Sequence, residues 1–273
     1  MTADDTNVPT DPAVSIDAGV PIDTSKPHPA RVYDWLLGGK DNYLVDQEMG
    51  QKLPPEARAN AARNRAFMQR AAAWLADNGV RQFLDIGTGI PTAPNLHQIV
   101  QTIAPSSRVV YADNDPIVLR HAEALLVSSP EGATDYVQAD VRRPEAILDR
   151  ARELLDFEQP IALSLIALMH FITDEEDPYG LTRTLVDALP SGSYLVLSHG
   201  TTDEHPELAD SVTDTYKKGQ VPLRMRRRAE VERFFEGLEL VEPGLVTATH
   251  WYRGSPAPEA ELSGFYVGVA RVP

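Results

Sequence analysis

QFLDIGTGIP, residues 82–91, decides how the rest of the chain is read. An apolar run ends in Asp85, and Gly87 and Gly89 follow with Thr88 between them. A buried strand that leads into a glycine turn and a helix is the usual opening of a nucleotide-type binding site. Alone, the turn does not choose between a dinucleotide, another adenosine cofactor and no ligand, because short glycine patterns recur by chance. The residues that follow it make the choice.

Working outward from the turn, apolar strand-like runs alternate with helical patterns. Strands are expected over residues 81–86, 108–113, 134–138, 161–168 and 193–199, with helices over 95–103, 116–127, 144–155, 178–188, 206–218 and 228–235. Such alternation predicts an α/β fold with a parallel sheet covered on both faces. Two further strands, near 238–249 and 264–272, would close the sheet as an antiparallel hairpin. Upstream, the alanine- and arginine-rich stretch 55–78 starts after two prolines and stops at Gly79, the marks of a helix. Phe67, Ala71, Trp74 and Leu75 form its apolar stripe, and Arg63, Asn64 and Arg65 precede it, one of them, Arg63 foremost, within reach of a ligand carboxylate. The expected organisation is a polar tail over 1–26, a helical extension over 27–80, and an α/β domain over 81–273 with a helical insertion near 201–228. The extension reads either as a packed cap or as a lid hinged at Gly38–Gly39.

Ligands of a doubly wound sheet bind beyond the carboxyl ends of its strands, so the residues there carry the chemistry. Asp113 ends the second strand, 24 residues after Gly89, where a carboxylate accepts hydrogen bonds from both hydroxyls of a ribose. Asp140 ends the third strand and is placed to accept from an adenine amino group, with the Val141 amide facing the ring. A dinucleotide fingerprint needs glycine or alanine at position 92, where Thr92 stands. A pyrophosphate would also meet Asp85, Asp113 and Asp140 with no basic residue expected nearby. A sulfonium and an ammonium suit that field, which points to S-adenosylmethionine.

Composition sets the outer limits. The 273 residues carry a formal net charge of −15 and no cysteine. Disulfides, thiolate metal sites and cysteine nucleophiles are therefore excluded, and a nucleic-acid backbone is disfavoured as a partner because its phosphates need a basic face. The one basic cluster, RMRRR over 224–228, reads first as a solvated helix start. No run approaches the roughly 20 apolar residues of a membrane helix, and the acidic, proline-containing first residues are unlike a signal peptide. A soluble, cytoplasmic protein is expected, with no membrane partner and no metal; the sequence does not specify its oligomeric state.

The stretches PARVYDWLLGGKDNY, QFLDIGTGIPTAPNLHQ, VVYADNDPIVL, LMHFITDEEDPYG and GSYLVLSHGTT together resemble an actinobacterial family of S-adenosyl methyltransferases, once catalogued as a family of unknown function. The similarity runs from about residue 23 to 272. It implies a Rossmann-like class I methyltransferase fold with a seven-stranded sheet. It also implies that Asp85, Gly87 and Gly89 surround the methionine part of the cofactor, that Asp113 holds the ribose, and that Asn114, Asp140 and Val141 border the adenine. The segment from Arg31 to Asn42 would close over the cofactor, with Tyr33 as its main contact. Pro91 departs from the broader class by replacing the third glycine of the turn.

Methyl transfer is an in-line displacement on an activated carbon, so alignment and desolvation supply much of the acceleration. If a base is needed, His170, after the apolar run IALSLIALM, is the expected candidate, ahead of His199 and His250. The Asn/Asp-Pro-Pro-aromatic motif of enzymes that methylate base amines is absent, and MHFITD stands in its place. A small-molecule acceptor follows as the expected substrate. The alternatives are a cofactor-binding regulator without transfer activity and, more distantly, an NAD-dependent dehydrogenase.

Overall fold

A computed structural model describes residues 22–125, 127–251 and 263–273. Most of the polar tail, residue 126 of the expected fifth-segment helix, and Tyr252 beside His250 lie outside the described residues. The sheet is built from β1 (Gln82–Ile86), β2 (Arg108–Asp113), β3 (Ala133–Gln138), β4 (Ile161–Ile166) and β5 (Tyr194–Gly200), which run parallel in the order β3-β2-β1-β4-β5. The inner strands β1, β2, β4 and β5 are short, mostly aliphatic and largely buried on both faces, as parallel strands must be when helices cover both sides, while β3 lies at the sheet edge and is only partly buried. Phe83 and Leu84 illustrate the alternation: the first joins an apolar cluster with Phe67, Val100 and Trp251, the second a cluster with Ile147, Leu163 and Phe234.

The helices that supply those faces are α1 (Pro29–Leu36), α2 (Leu44–Gly50), α3 (Glu56–Asp77), α4 (Leu96–Ile103), α5 (Pro116–Leu125), α6 (Pro144–Ala151), α7 (Pro178–Asp187), α8 (Pro206–Lys218) and α9 (Arg228–Glu232). Five of them, α1, α5, α6, α7 and α8, begin on a proline, whose missing N–H costs nothing at a helix start. In α3 the expected stripe holds, with Phe67, Ala71 and Leu75 fully buried.

The closing strands depart from expectation. In place of one long strand over 238–249, two two-residue strands, β6 (Glu239–Leu240) and β7 (Val246–Thr247), pair antiparallel with different parts of β8 (Phe265–Arg271). Pro243, which has no N–H to donate, and Gly244, with a φ of 86°, interrupt the edge, so the sheet has eight strands among the described residues instead of seven. The fourth strand also stops early: Ala167 adopts a left-handed φ of 51°, and a short 3-10 turn over Met169–Phe171 follows. Strand order reverses between β1 and β4, which opens a crevice at their carboxyl ends.

The N-terminal helices pack beside that crevice. Gly38–Gly39 forms a closed turn there: the Asp34 carboxylate accepts from the Asp41 amide at 3.1 Å and the Asn42 side chain at 2.7 Å, and it fills the space where any side chain at position 39 would stand. Arg31, 3% exposed, reaches Asp115 at 3.1 Å, while Asp46 accepts from the His28 amide at 2.9 Å.

Candidate active site

One cavity of about 490 Å³ occupies the crevice. Its walls come from α1, α3, the carboxyl ends of β1 to β5, α8 and the segment 220–225. That volume falls in the range of small-molecule and cofactor sites. Every expected cofactor residue lines it: Tyr33, Arg63, Asp85, Gly87, Thr88, Gly89, Asp113, Asn114, Asp140 and Val141, as does His170. Asp85 and His170, 85 positions apart in sequence (170 − 85), are brought together because the parallel strands all end on this side.

The glycine turn is held from below by its own strand neighbours. Gly87 donates to the Ala112 carbonyl at 2.8 Å, and Gly89 donates to Asp113 Oδ2 at 2.8 Å. Gly87 has a φ of 73°, and a Cβ there would lie 2.7 Å from Leu168, so only glycine fits. Thr88 donates its hydroxyl to Asp85 Oδ2 at 2.8 Å. Burial raises the Asp85 carboxyl above its ordinary range, with the Thr88 hydrogen bond and Arg65 acting against the shift. Asp113 is likewise raised by burial and lowered by the Asp115 and Gly89 amides and by His28. Each of its oxygens already accepts one backbone N–H, since Asp115 N–H reaches Oδ1 at 2.9 Å. A carboxylate has about four acceptor sites, so capacity for a ligand hydroxyl remains.

The field of the cavity is less uniformly acidic than the sequence suggests. Arg63, Arg65 and Arg142 all line it, which corrects the expectation of no basic residue nearby. Arg142 pairs with Asp140 at 3.3 Å and with Glu176 at 2.6 Å, and its guanidinium also reaches the Phe171 carbonyl. Arg65 donates to the carbonyls of Thr92 and, at 3.0 Å, Pro94, holding the loop after the glycines. Arg63 bonds Asn60 at 3.3 Å. Tyr33 donates to the Ala61 carbonyl and accepts from Asn64, both at 3.0 Å, so its hydroxyl serves α1–α3 packing while its ring borders the cavity.

His170 sits on the cavity wall, 6% exposed, and its Nδ1 accepts from the Gly200 amide at 3.3 Å. That fixes the proton on Nε2. Burial, and then Arg226, lower its pKa to about 3. A base needs a free lone pair and a value near the working pH; this ring has neither. His199 lies below it with Nδ1 on the Gly200 carbonyl at 2.8 Å, and burial holds it neutral too.

Arg226 was the least legible member of the site. It is fully buried, bonding His199 Nε2 at 2.9 Å, the carbonyls of Met169 and Ile172, and Asp174 at 2.5 Å. Arg224 bridges Asp174 and Glu230. The RMRRR cluster therefore turns one cation, Arg226, inward beneath His170, while Arg224 pairs with its carboxylates at the surface. A buried arginine is invisible in a run of basic residues; the nearby carboxylate partners in TDEED were the available signal. Sequence reading also passed over Glu204, His205 and Tyr216, which line the end of the cavity away from the glycine turn.

The family model described as S-adenosyl methyltransferase matches residues 16–273 of this chain. A DUF574 family protein of known crystal structure from Streptomyces avermitilis is 48% identical, with a TM-score of 0.88, covering 93% of this chain and 100% of its own. A candidate methyltransferase from Thermobifida fusca, also a crystal structure, is 36% identical, with a TM-score of 0.83, covering 92% of this chain and 96% of its own. No curated protein matches the chain.

Proposed function

Because the chain belongs to the S-adenosyl methyltransferase family, we propose that its cavity seats the cofactor at the Asp85–Asp113–Asp140 end and a small-molecule methyl acceptor at the other. The protein is an S-adenosylmethionine-dependent methyltransferase, which sets aside the dehydrogenase reading. The residues present fit that cofactor. Carboxylates at three successive strand ends suit its hydroxyl, amino and ammonium donors, Arg63 suits its one carboxylate, and Gly87 leaves backbone room where a Cβ would collide with Leu168.

S-adenosylmethionine supplies a methyl group already activated by a sulfonium. The chain's part is then to hold, orient and dry the reactants. We assign Asp85 and the Gly87–Gly89 turn to the amino-acid end, Asp113 to the ribose, and Asn114, Asp140 and Val141 to the adenine. Tyr33 and the rest of α1 act as cover. His170 serves as a neutral wall whose Nε2 is a donor, and a general-base role is not part of the proposal. The pairing of Arg224 and Arg226 with Asp174 and Glu230 supports a small acceptor over nucleic acid. No described helix is long and apolar enough to cross a membrane; with the acidic composition this supports a cytoplasmic location. The Streptomyces and Thermobifida relatives support an actinobacterial origin.

The observation that carries the site assignment is the convergence of Asp85, Gly87, Gly89, Asp113 and Asp140 on one cavity. Calorimetry with S-adenosylmethionine and S-adenosylhomocysteine tests it: both should bind one site, and Asp113→Ala should weaken them at least tenfold. Absence of binding by either ligand refutes the assignment.

A further inference from the structure

Away from the glycine turn the cavity has a second chemistry. Leu36, Ala57, Phe171, Val212 and Leu223 are partly buried members of a cluster that joins α1, α2 and α8, and all five also line the cavity. The Phe171 and Tyr216 rings, 5.6 Å apart, form an aromatic corner in the same wall. This end is therefore apolar and partly aromatic.

One carboxylate of the cavity wall, in the loop just before α8, has its geometry fixed from behind. Glu204 Oε2 accepts from the Ser263 amide at 3.0 Å and the Gly264 amide at 2.7 Å. Its other oxygen makes no hydrogen bond, and the carboxylate has no ion pair, among the described residues. The other acidic groups of the cavity differ. Asp85 is bonded by Thr88, Asp113 by two amides and Asp140 by Arg142, while Glu56 stands exposed at the rim. Of the three lining arginines, Arg65 is engaged on loop carbonyls, Arg142 on Asp140 and Glu176, and Arg63 on Asn60. His205 adjoins Glu204 on an exposed part of the wall.

An anchored carboxylate with one oxygen open, beside aromatic and aliphatic walls, is a site for an organic cation: the carboxylate takes its charge and N–H groups, and the rings take its apolar body. We infer that the methyl acceptor is an apolar amine, held with its ammonium on Glu204 and its body against Phe171, Tyr216 and Val212. The inference rests on the proposed placement of the cofactor at the opposite end. The net charge of −15 adds a long-range attraction for such a cation and a repulsion for anionic acceptors.

The test uses the full chain saturated with S-adenosylhomocysteine and three probes of equal length: 4-phenylbutylamine, 4-phenylbutanol and 4-phenylbutyrate. Calorimetry should show the amine binding at least tenfold tighter than the alcohol, and the acid weakest. Glu204→Gln keeps a carbonyl oxygen for the Ser263 and Gly264 amides, and it should erase the amine preference while leaving alcohol affinity within threefold. Val212→Trp, which fills the apolar end from α8, should abolish binding of the amine and the alcohol but not of S-adenosylhomocysteine. An acid that binds as well as the amine, or an amine preference that survives Glu204→Gln, overturns the inference. If S-adenosylhomocysteine binds and the amine preference is absent, the acceptor class alone is wrong. If S-adenosylhomocysteine itself fails to bind the wild-type chain, the cofactor placement is wrong.

Discussion

Gly87 shows how closely the site depends on single atoms. Its φ of 73° strains any L-residue, and the added methyl of Gly87→Ala would come within 2.7 Å of Leu168. We expect that substitution to cost about 1–3 kcal/mol of stability from the backbone strain and to weaken S-adenosylhomocysteine at least tenfold, read by denaturant unfolding and calorimetry on the same sample. His170 sets a different expectation. Its folded pKa is about 3 against an ordinary 6.5, so below 6.5 the unfolded chain binds a proton that the folded chain refuses. The contribution to stability is complete above pH 6.5 and is lost as pH falls from there toward 3. His199, also depressed by burial, acts in the same direction. Urea midpoints at pH 7.5 and 5.0 should differ by less in His170→Gln than in the wild type. The glycines and strand-end aspartates were legible because their roles follow from local pattern. The neutral state and tautomer of His170 were not, since they depend on burial, on Arg226 and on the Gly200 amide, 30 residues away.

At the level of elements, the N-terminal helices are tied to the α/β domain by charge as well as by packing. Arg31 and Asp115 form a pair in which each side chain is about 4% exposed or less. Removing one partner of a buried pair typically costs about 3–5 kcal/mol, of which His28, 3.2 Å from Asp115, and the Ile117 amide would offset a part. Arg31→Ala should therefore lower stability by that order in denaturant titrations, and it should raise protease cleavage within 37–43, the link between α1 and α2. A hinge at Gly38–Gly39 was a fair reading of two adjacent glycines, yet the Asp34 carboxylate occupies the turn. Sequence could not disclose this, because Asp34 looks like any exposed acid on an amphipathic helix. The inner parallel strands, by contrast, stood out for a physical reason: burial on both faces demands nearly continuous apolar runs. The edge formed by β6 and β7 did not, since each has only two residues and its pairing is set by β8.

For the whole molecule, ligand binding and folding share one free energy. A ligand that binds only the folded chain adds about 2.7 kcal/mol of stability at a hundredfold excess over its Kd. S-adenosylhomocysteine at that excess should raise the unfolding midpoint accordingly, and 4-phenylbutyrate should not. The polypeptide order of the site was readable from the start, because the fold gathers every strand end on one side; the acceptor end was not, being assembled from α1, α8 and the 220–225 segment with no shared motif. One chain of contacts has a consequence at this scale. The Gly89 amide is bound by Asp113, Asp113 also receives the Asp115 amide, and Asp115 holds Arg31 of α1. The glycine turn and the docking of α1 are thus two corners of a single thermodynamic square. Whatever factor Arg31→Ala takes from cofactor affinity must equal the factor by which bound cofactor enlarges the cost of Arg31→Ala to folding, so denaturant unfolding with and without saturating cofactor and a calorimetric titration have to return the same number.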